Sequence, residues 1–212
     1  MKLGLMQFNP TVGAIEANAE RVVEAAARAA DAGVDLLVFP ELALCGYPPR
    51  DLLIQEGFVE ACRDAALAVA ARLPVPTVLG LPWRPPADSR DPLSWQPGGM
   101  ATNSAVLMRG GVIECRYDKR LLPTYDVFDE HRYFRPGRTV CTFRLGDLRV
   151  GLAICEDLWR GLDMGVDHRY ADSADPMQEL ADVGVDLVIT PSASPFVVGK
   201  GKRQRELLAT HV

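Results

Sequence analysis

The chain has 212 residues, of which 48% are hydrophobic and 24% charged, a composition typical of a soluble globular protein. Its formal net charge is −5 and no run of Lys or Arg forms a basic stripe, so nucleic acid is not expected as a partner. No apolar stretch approaches the roughly 20 residues that cross a bilayer, so no membrane contact is expected. The chain starts without the features of a secretory signal.

The five cysteines are Cys45, Cys62, Cys115, Cys141 and Cys155. Their odd number, wide spacing and lack of a C-x-x-C pair argue against a disulfide framework and against a cysteine zinc site. Free thiols are typical of a reducing compartment, so we expect a cytoplasmic protein without a metal ion.

Strand-like and helix-like segments alternate along the first part of the chain. Lys2–Phe8 predicts a strand and Ala14–Ala32 predicts a helix that stops at Gly33. The continuous apolar run Val34–Pro40 is typical of a strand that is buried on both faces. Further along come a helical segment, Asp51–Leu73, a short strand, Thr77–Leu81, and a surface loop rich in Pro, Ser, Gly and Asp, Pro82–Thr102.

Two hairpins and a long loop make up most of the remainder. The predicted segments are a hairpin (Ser104–Arg109, Val112–Tyr117), the loop (Asp118–Arg138), a second hairpin (Thr139–Leu145, Leu148–Ile154), a helix (Met177–Val183), a strand (Val185–Pro191) and a last helix (Lys200–Val212). Loops of this length inside compact domains are usually functional. No Gly, Asn or Pro closes the last helix, so we expect a second half that is cut short.

The sequence also repeats itself weakly. Residues 32–38 match residues 183–189, and residues 2–5 resemble residues 149–152, so order and spacing are nearly preserved. This pattern favours two halves with the same strand–helix–strand build, although chance similarity between common strand sequences would look the same.

Three reactive side chains follow predicted strands: Glu41, Lys119 and Cys155. Ligands gather beyond the carboxyl ends of strands in sheets of this kind. A thiolate nucleophile, a carboxylate base and a cation that stabilises negative charge on oxygen could together form a covalent hydrolytic site. Taken singly, each residue has a structural interpretation, because a cysteine here can be a small core residue, a glutamate can cap a helix and a loop lysine is usually solvated.

The sequences around these residues resemble a known family. VDLLVFPELALCGYPPRDLL, YDKRLLPTYDVFDEHRYFRPG and VGLAICEDLW resemble the three motif blocks of the carbon–nitrogen hydrolase (nitrilase) superfamily. More narrowly, GYPPRDLL, KxxLPxYxVFDExRYF and CEDLW resemble the glutaminase domains of glutamine-dependent NAD+ synthetases. The resemblance places the family's catalytic triad on Glu41, Lys119 and Cys155.

The resemblance implies an α-β-β-α sandwich in the α/β class, with residues 1–212 as an incomplete glutaminase domain. It implies that Cys155 attacks the carboxamide of glutamine, that Glu41 is the base, and that Lys119 stabilises the oxyanion together with a backbone N–H just after Cys155. A neighbouring ammonium should also lower the pKa of the thiol.

The resemblance also implies five substrate-binding positions: Tyr125, Glu130, Trp159, Ser194 and Lys200. Trp159 occupies a position that is aromatic in relatives, and the other four have a structural alternative. Tyr125 and Glu130 could pack a long loop, Ser194 could belong to a proline turn, and Lys200 could be a charge on the first turn of a helix.

The chain departs from the complete synthetases because it contains no SGGxDS pyrophosphate loop. ATP, Mg²⁺ and deamido-NAD+ are therefore expected only in a synthetase domain that this chain lacks, and no cofactor is expected here. The expected partners are glutamine, that synthetase domain and further copies of the chain in a homo-oligomer. A free-standing amidase or nitrilase and an inactive fragment or interaction domain are the alternatives.

Overall fold

A computed structural model describes residues 1–84 and 100–209 of the chain. Most of the predicted surface loop Pro82–Thr102, and residues 210–212 of the predicted last helix, lie outside these ranges. The strands are β1 (Leu3–Leu5), β2 (Leu36–Val38), β3 (Thr77–Trp83), β4 (Thr102–Arg109), β5 (Val112–Asp118), β6 (Cys141–Leu145), β7 (Leu148–Leu152) and β8 (Leu187–Ile189).

The α-helices are α1 (Ile15–Asp31), α2 (Phe58–Ala70), α3 (Glu156–Trp159), α4 (Pro176–Val183) and α5 (Lys200–Leu208). Single 3-10 turns are formed by Arg50–Ile54, Glu130–Arg132 and Asp167–Tyr170. No helix in the described ranges is both long enough and apolar enough to span a bilayer.

The strands form two sheets. The first has the order β1-β2-β3-β4-β5, with β1, β2 and β3 parallel and the last three strands antiparallel. The second has the order β6-β7-β8, with an antiparallel hairpin followed by a parallel pair. Both predicted hairpins are confirmed, and each turns at a pair of residues that begins with glycine.

The first sheet is buried on both faces, as the apolar run through β2 predicts. Leu37 packs in a core with helices α1 and α2, whereas its neighbours Leu36 and Val38 pack in a second core that includes Val150 and Leu152 of β7. Successive side chains of a strand point to opposite faces, so this alternation places helices on one side and the second sheet on the other.

Helix α4 covers the outer face of the second sheet. A Cβ atom added at Gly151 would lie only 2.7 Å from Leu180 Cδ2, so β7 and α4 are in close contact. The layers therefore run helix, sheet, sheet, helix, and the predicted α-β-β-α sandwich is confirmed.

The two halves repeat each other in hydrogen-bonding detail. In the first half, residues 3–5 pair in parallel with residues 36–38. In the second half, residues 150–152 pair in the same way with residues 187–189. The Asp35 carboxylate accepts from Lys2 N at 2.6 Å, and the Asp186 carboxylate accepts from Arg149 N at 2.7 Å. The weak sequence repeat is thus a structural repeat.

Some predicted elements differ from the structure. Asp51–Leu73 is not one helix, because Gly57 has a φ of 81° and separates a 3-10 turn from α2. The predicted strand Lys2–Phe8 shortens to β1, with three paired residues. Helix α3 is too short to give a periodic pattern and was not predicted.

Gly80 tests how tightly the segment after β2 packs on β3. In Gly80→Ala the new Cβ would lie 2.4 Å from Leu42 N and 2.6 Å from Pro40 O, both backbone atoms. We expect the free energy of unfolding to fall by roughly 1–3 kcal/mol in urea titrations, because backbone atoms must move to relieve the clash.

Gly201→Ala is the matched control for Gly80→Ala. Its new Cβ would meet only a guanidinium nitrogen of Arg205, at 3.9 Å. The control should be neutral or slightly stabilising, because alanine is favoured over glycine in a helix. Equal stability losses in the two variants would contradict the proposed close approach.

Candidate active site

The three side chains predicted to react converge at one end of the sandwich. Glu41 follows β2, Lys119 follows β5 and Cys155 follows β7. All three are buried, with relative exposures of 2%, 0% and 3%. Burial of a carboxylate and an ammonium is costly unless each charge is compensated, so the contacts among them decide how the site is organised.

Lys119 supplies the positive charge at the centre of this cluster. Its Nζ donates to Glu41 Oε1 at 2.7 Å and to Glu130 Oε1 at 2.8 Å. An ammonium has three donors, so these two bonds leave one N–H for another acceptor. Glu130 therefore belongs to the buried cluster and does not merely pack the long loop.

Further groups hold the two carboxylates. Asn103 Nδ2 donates to Glu41 Oε1 at 2.7 Å, and the backbone N–H of Ala193 donates to Glu41 Oε2 at 2.9 Å. The Tyr47 hydroxyl donates to Glu130 Oε1 at 2.9 Å. Glu41 thus receives bonds from both halves of the chain.

Cys155 has an unusual backbone conformation. Its φ is 46° and its ψ is −99°, at the junction between β7 and α3. Non-glycine residues rarely adopt a positive φ, and such strain persists only where surrounding contacts impose it. Here the Cys155 N–H donates to Pro191 O at 3.0 Å, which ties the turn to the end of β8.

Asp157 holds the turn from the other side. One carboxylate oxygen accepts from Ile154 N at 3.0 Å and from the Tyr117 hydroxyl at 2.9 Å. The other accepts from the backbone N–H groups of Arg120 and Leu121 at 3.1 Å and 2.8 Å. This fully buried side chain connects the Cys155 turn to the segment that carries Lys119.

The pKa values of the cluster reflect burial and charge imbalance. Burial raises the pKa of Glu130 to about 7, against the lowering effect of Lys119. Burial disfavours the ammonium of Lys119, but Glu130 and Glu41 outweigh that effect and raise its pKa well above the ordinary value. The ammonium therefore persists at neutral pH.

Opposing effects act on the thiol of Cys155. Burial, followed by the negative charge of Glu41, raises its pKa well above the ordinary value. Lys119 acts to lower the pKa, as expected, but burial and Glu41 outweigh it. The physical reason is that a buried thiolate beside a carboxylate is disfavoured more than one shared ammonium can offset.

Two cavities lead toward the cluster. One, of about 160 Å³, lies between the Tyr47–Arg50 segment and residues 126–134, and Glu130 lines it. The other, of about 400 Å³, shares Tyr47 with the first and is also lined by Ala193 and Ser194. Glu130 is the residue of the buried cluster that faces the first cavity.

Of the remaining residues predicted to bind substrate, Tyr125 and Trp159 lie near the Cys155 turn. The Tyr125 hydroxyl donates to Glu156 Oε2 at 2.7 Å. Trp159 packs in the core between the sheets, and among the described residues its Nε1 has no acceptor. Both side chains therefore lie close to the Cys155 turn, where they contact protein groups.

Ser194 and Lys200 contact each other. Lys200 Nζ donates to Ser194 Oγ at 2.7 Å and lies 3.2 Å from the carboxylate of Asp163, which is itself buried. Lys200 is thus a paired charge at the start of α5 rather than a solvated one. Ser194 lines the cavity of about 400 Å³, whereas Lys200 and Asp163 line a separate cavity of about 430 Å³.

Sequence reasoning missed several residues of the site. Tyr47 and Asp157 lie inside the motifs GYPPRDLL and CEDLW, but neither was predicted to belong to the site. Asn103 lies at the beginning of a strand, whereas the predicted reactive residues all follow the end of one. Ala193 acts through its backbone, for which a sequence gives no signal.

Comparison with known proteins gives a consistent result. The sequence profile of the carbon–nitrogen hydrolase family matches residues 2–164. A glutamine-dependent NAD(+) synthetase of Synechocystis sp. is 41% identical over 209 residues, which are 99% of this chain and 36% of that protein. The Xanthomonas campestris enzyme of the same name is 36% identical over 99% of this chain and 34% of its own length. The chain thus spans about a third of these curated relatives.

Solved structures agree. The glutamine-dependent NAD+ synthetase of Acinetobacter baumannii superposes with a TM-score of 0.82 at 29% identity, covering 98% of this chain and 35% of that chain. An amidase from Nesterenkonia sp. superposes with a TM-score of 0.76 at 23% identity, covering 100% of this chain and 71% of that one. The amidase likeness shows the shared fold alone.

Glu130 provides a test of the electrostatics through stability. Its pKa is raised from 4.5 to about 7 in the folded state, so between these values the native state holds a proton that the unfolded state has released. The free energy of unfolding should therefore fall as pH rises through this window, by at most about 1.4 kcal/mol per pH unit for one proton.

Glu130→Gln should remove that contribution and flatten the dependence of stability on pH. Denaturant titrations at about pH 5, 6, 7 and 8 on both proteins provide the measurement. Asp157, whose pKa burial raises to about 6, contributes in the same direction to both proteins and cancels in the difference. An identical slope in the two proteins would contradict the elevated pKa.

Proposed function

The chain belongs to the carbon–nitrogen hydrolase family, and from that premise we propose that it is a glutaminase domain that releases ammonia from the side-chain amide of glutamine. The observation that carries the proposal is the buried contact between Lys119 and Glu41 beside the strained Cys155 turn. Identities of 41% and 36% to glutamine-dependent NAD(+) synthetases support glutamine as the substrate.

In the proposed reaction the thiol of Cys155 attacks the carboxamide carbon. Because the pKa of this thiol is raised, the resting group is protonated, and a base must accept its proton as the bond forms. Glu41 Oε1 already accepts from Lys119 and Asn103, whereas Oε2 accepts only from Ala193 N among the described residues. Oε2 therefore has the free lone pair that this transfer needs.

Lys119 would stabilise the tetrahedral intermediate. Two of its three N–H donors bind Glu41 and Glu130, and the third can donate to the oxyanion. Collapse expels ammonia, which takes the proton from Glu41, and leaves a γ-glutamyl thioester on Cys155. Glu41 then activates a water molecule, which releases glutamate and restores the thiol.

The proposal extends to the protein of which this domain would form part. A synthetase domain would use the ammonia, together with ATP and Mg²⁺, to amidate deamido-NAD+, and no cofactor would act in the present chain. The relatives' names and their greater length support this extension. We also propose a homo-oligomeric, cytoplasmic protein, in keeping with a free thiol as nucleophile.

An amidase acting on another small amide is the second candidate. It is favoured by one observation: the profile that matches residues 2–164 is that of the carbon–nitrogen hydrolase family as a whole. The gene after the codon for Val212 separates the two, because a reading frame that continues to an SGGxDS loop supports the synthetase. A non-catalytic interaction domain is disfavoured, because Glu41, Lys119 and Cys155 are all present and lie close enough for Glu41 and Lys119 to act electrostatically on the Cys155 thiol.

Glutamate release from glutamine tests the proposed reaction. We expect the native protein to release glutamate, and Cys155→Ala to lower the rate by about 10³-fold or more, because the covalent route is lost. Glu41→Gln should lower it comparably. Asparagine and propionamide serve as comparison substrates, and faster turnover of propionamide than of glutamine would favour the amidase.

Covalent trapping identifies the nucleophile independently of turnover. A glutamine-like diazo-ketone should label Cys155, as read by peptide mass spectrometry. Cys62, which is buried in the helix-side core, is the internal control that should remain unlabelled. Labelling of Cys45 or Cys141 in place of Cys155 would overturn the assignment.

A further inference from the structure

Asn103 is a buried polar residue that connects two members of the proposed triad. Its backbone carbonyl accepts from Lys119 N at 2.8 Å, and its side-chain Nδ2 donates to Glu41 Oε1 at 2.7 Å. Its relative exposure is 0%. Asn103 thus hydrogen-bonds both the backbone of Lys119 and the carboxylate of Glu41, the proposed base.

Strand direction explains how Asn103 reaches the site. Strand β4 is antiparallel to both β3 and β5, so its first residues lie at the edge where β5 ends. Lys119 leaves that edge directly after Asp118, the last residue of β5. A residue at the start of β4 therefore stands beside residues that follow the ends of β2 and β5.

The hydrogen bonding of Asn103 is incomplete in a way that argues against a purely structural role. None of the described residues donates to its buried Oδ1. A buried polar atom without a partner is destabilising, so an apolar side chain would suit stability better at this position. The amide is therefore better explained by what Nδ2 does for Glu41.

We propose that Asn103 is a positioning residue for the base Glu41, an inference that rests on the proposed function of the site. Together with Lys119 it occupies Oε1, so that Oε2 is the oxygen left to accept the thiol proton.

The experiment compares Asn103→Leu and Asn103→Asp with the same substitutions at Asn18. Asn18 is a matched control because it is also a buried asparagine, but it bonds the backbone of Thr11 and Leu44 instead of a triad side chain. The readout is the rate at which iodoacetamide alkylates Cys155, measured by peptide mass spectrometry across about pH 5.5–9 in the native protein and in each variant.

We expect both Asn103 variants to move the acid limb of the alkylation profile to higher pH. Asn103→Leu removes the donor that orients Glu41 Oε1, and Asn103→Asp replaces that donor with a second carboxyl, so in both variants Oε2 is misplaced as the acceptor of the thiol proton. Alkylation then depends on ionisation of the thiol itself, whose pKa is raised, and therefore needs a higher pH. Alkylation near pH 6 should be at least about tenfold slower than in the native protein, with recovery as pH rises, which corresponds to a shift of about one pH unit.

Asn18 variants should change stability without moving the profile. An unmoved profile in the Asn103 variants, or an equal shift in the Asn18 variants, would overturn the positioning role. Circular dichroism checks folding, and failure of both Asn103 variants to fold while the Asn18 variants fold would assign Asn103 to the scaffold instead. Alkylation of Cys155 does not require hydrolysis of glutamine, so the test stands even if glutamine is not hydrolysed, and the two failures are distinguishable.

Discussion

One buried ammonium must balance two buried carboxylates, and the rest of the site follows from that constraint. Lys119 Nζ lies within 2.8 Å of a carboxylate oxygen of both Glu41 and Glu130. All three side chains are buried at one end of the sandwich, so solvent does not screen their charges. Desolvation of each ion costs several kcal/mol, and one cation cannot fully offset two anions. The excess negative charge is relieved at Glu130, whose pKa rises to about 7, so that this carboxyl is partly protonated near neutral pH. The same excess of negative charge keeps Cys155 protonated until a base acts.

Such a cluster would separate unless the surrounding scaffold held it. Gly80 lets the backbone around Glu41 approach β3 more closely than any Cβ would permit. Gly137 N–H donates to Lys119 O at 2.8 Å, and a Cβ at Gly137 would lie 2.0 Å from Asp118 O. Asp157 closes the arrangement by binding the Cys155 turn and the segment after Lys119 through one carboxylate. The stability of the fold, supplied by two large apolar cores, is what keeps these charges together.

Sequence patterns predicted most of the fold, because periodic burial and glycine turns are local signals. Both hairpins, helix α1 and the doubly buried β2 needed only their own residues to be recognised. The triad was found by its family motifs and by its place after strands. Asn103, the backbone N–H of Ala193 and the raised pKa of Cys155 could not be predicted, since each depends on how segments distant in sequence meet. An ammonium near a thiol favours the thiolate, but here the neighbouring carboxylates and burial raise the pKa of the thiol by more than the ammonium lowers it.

The repeated halves explain why Glu41 and Cys155, the proposed base and nucleophile, lie close together. Under the repeat, Glu41 of the first half corresponds to Ser192 of the second, and Cys155 corresponds to Phe8. Of Glu41 and Cys155, each half thus has one, and a different residue type occupies the position that corresponds to the other. Neither half therefore holds a complete site. Packing of the sheets face to face brings the two ends together, and the bond from Ala193 N to Glu41 Oε2 crosses between the halves. Sheet packing therefore sets the distance over which a proton would pass from thiol to carboxylate, and the core between the sheets becomes part of the catalytic geometry.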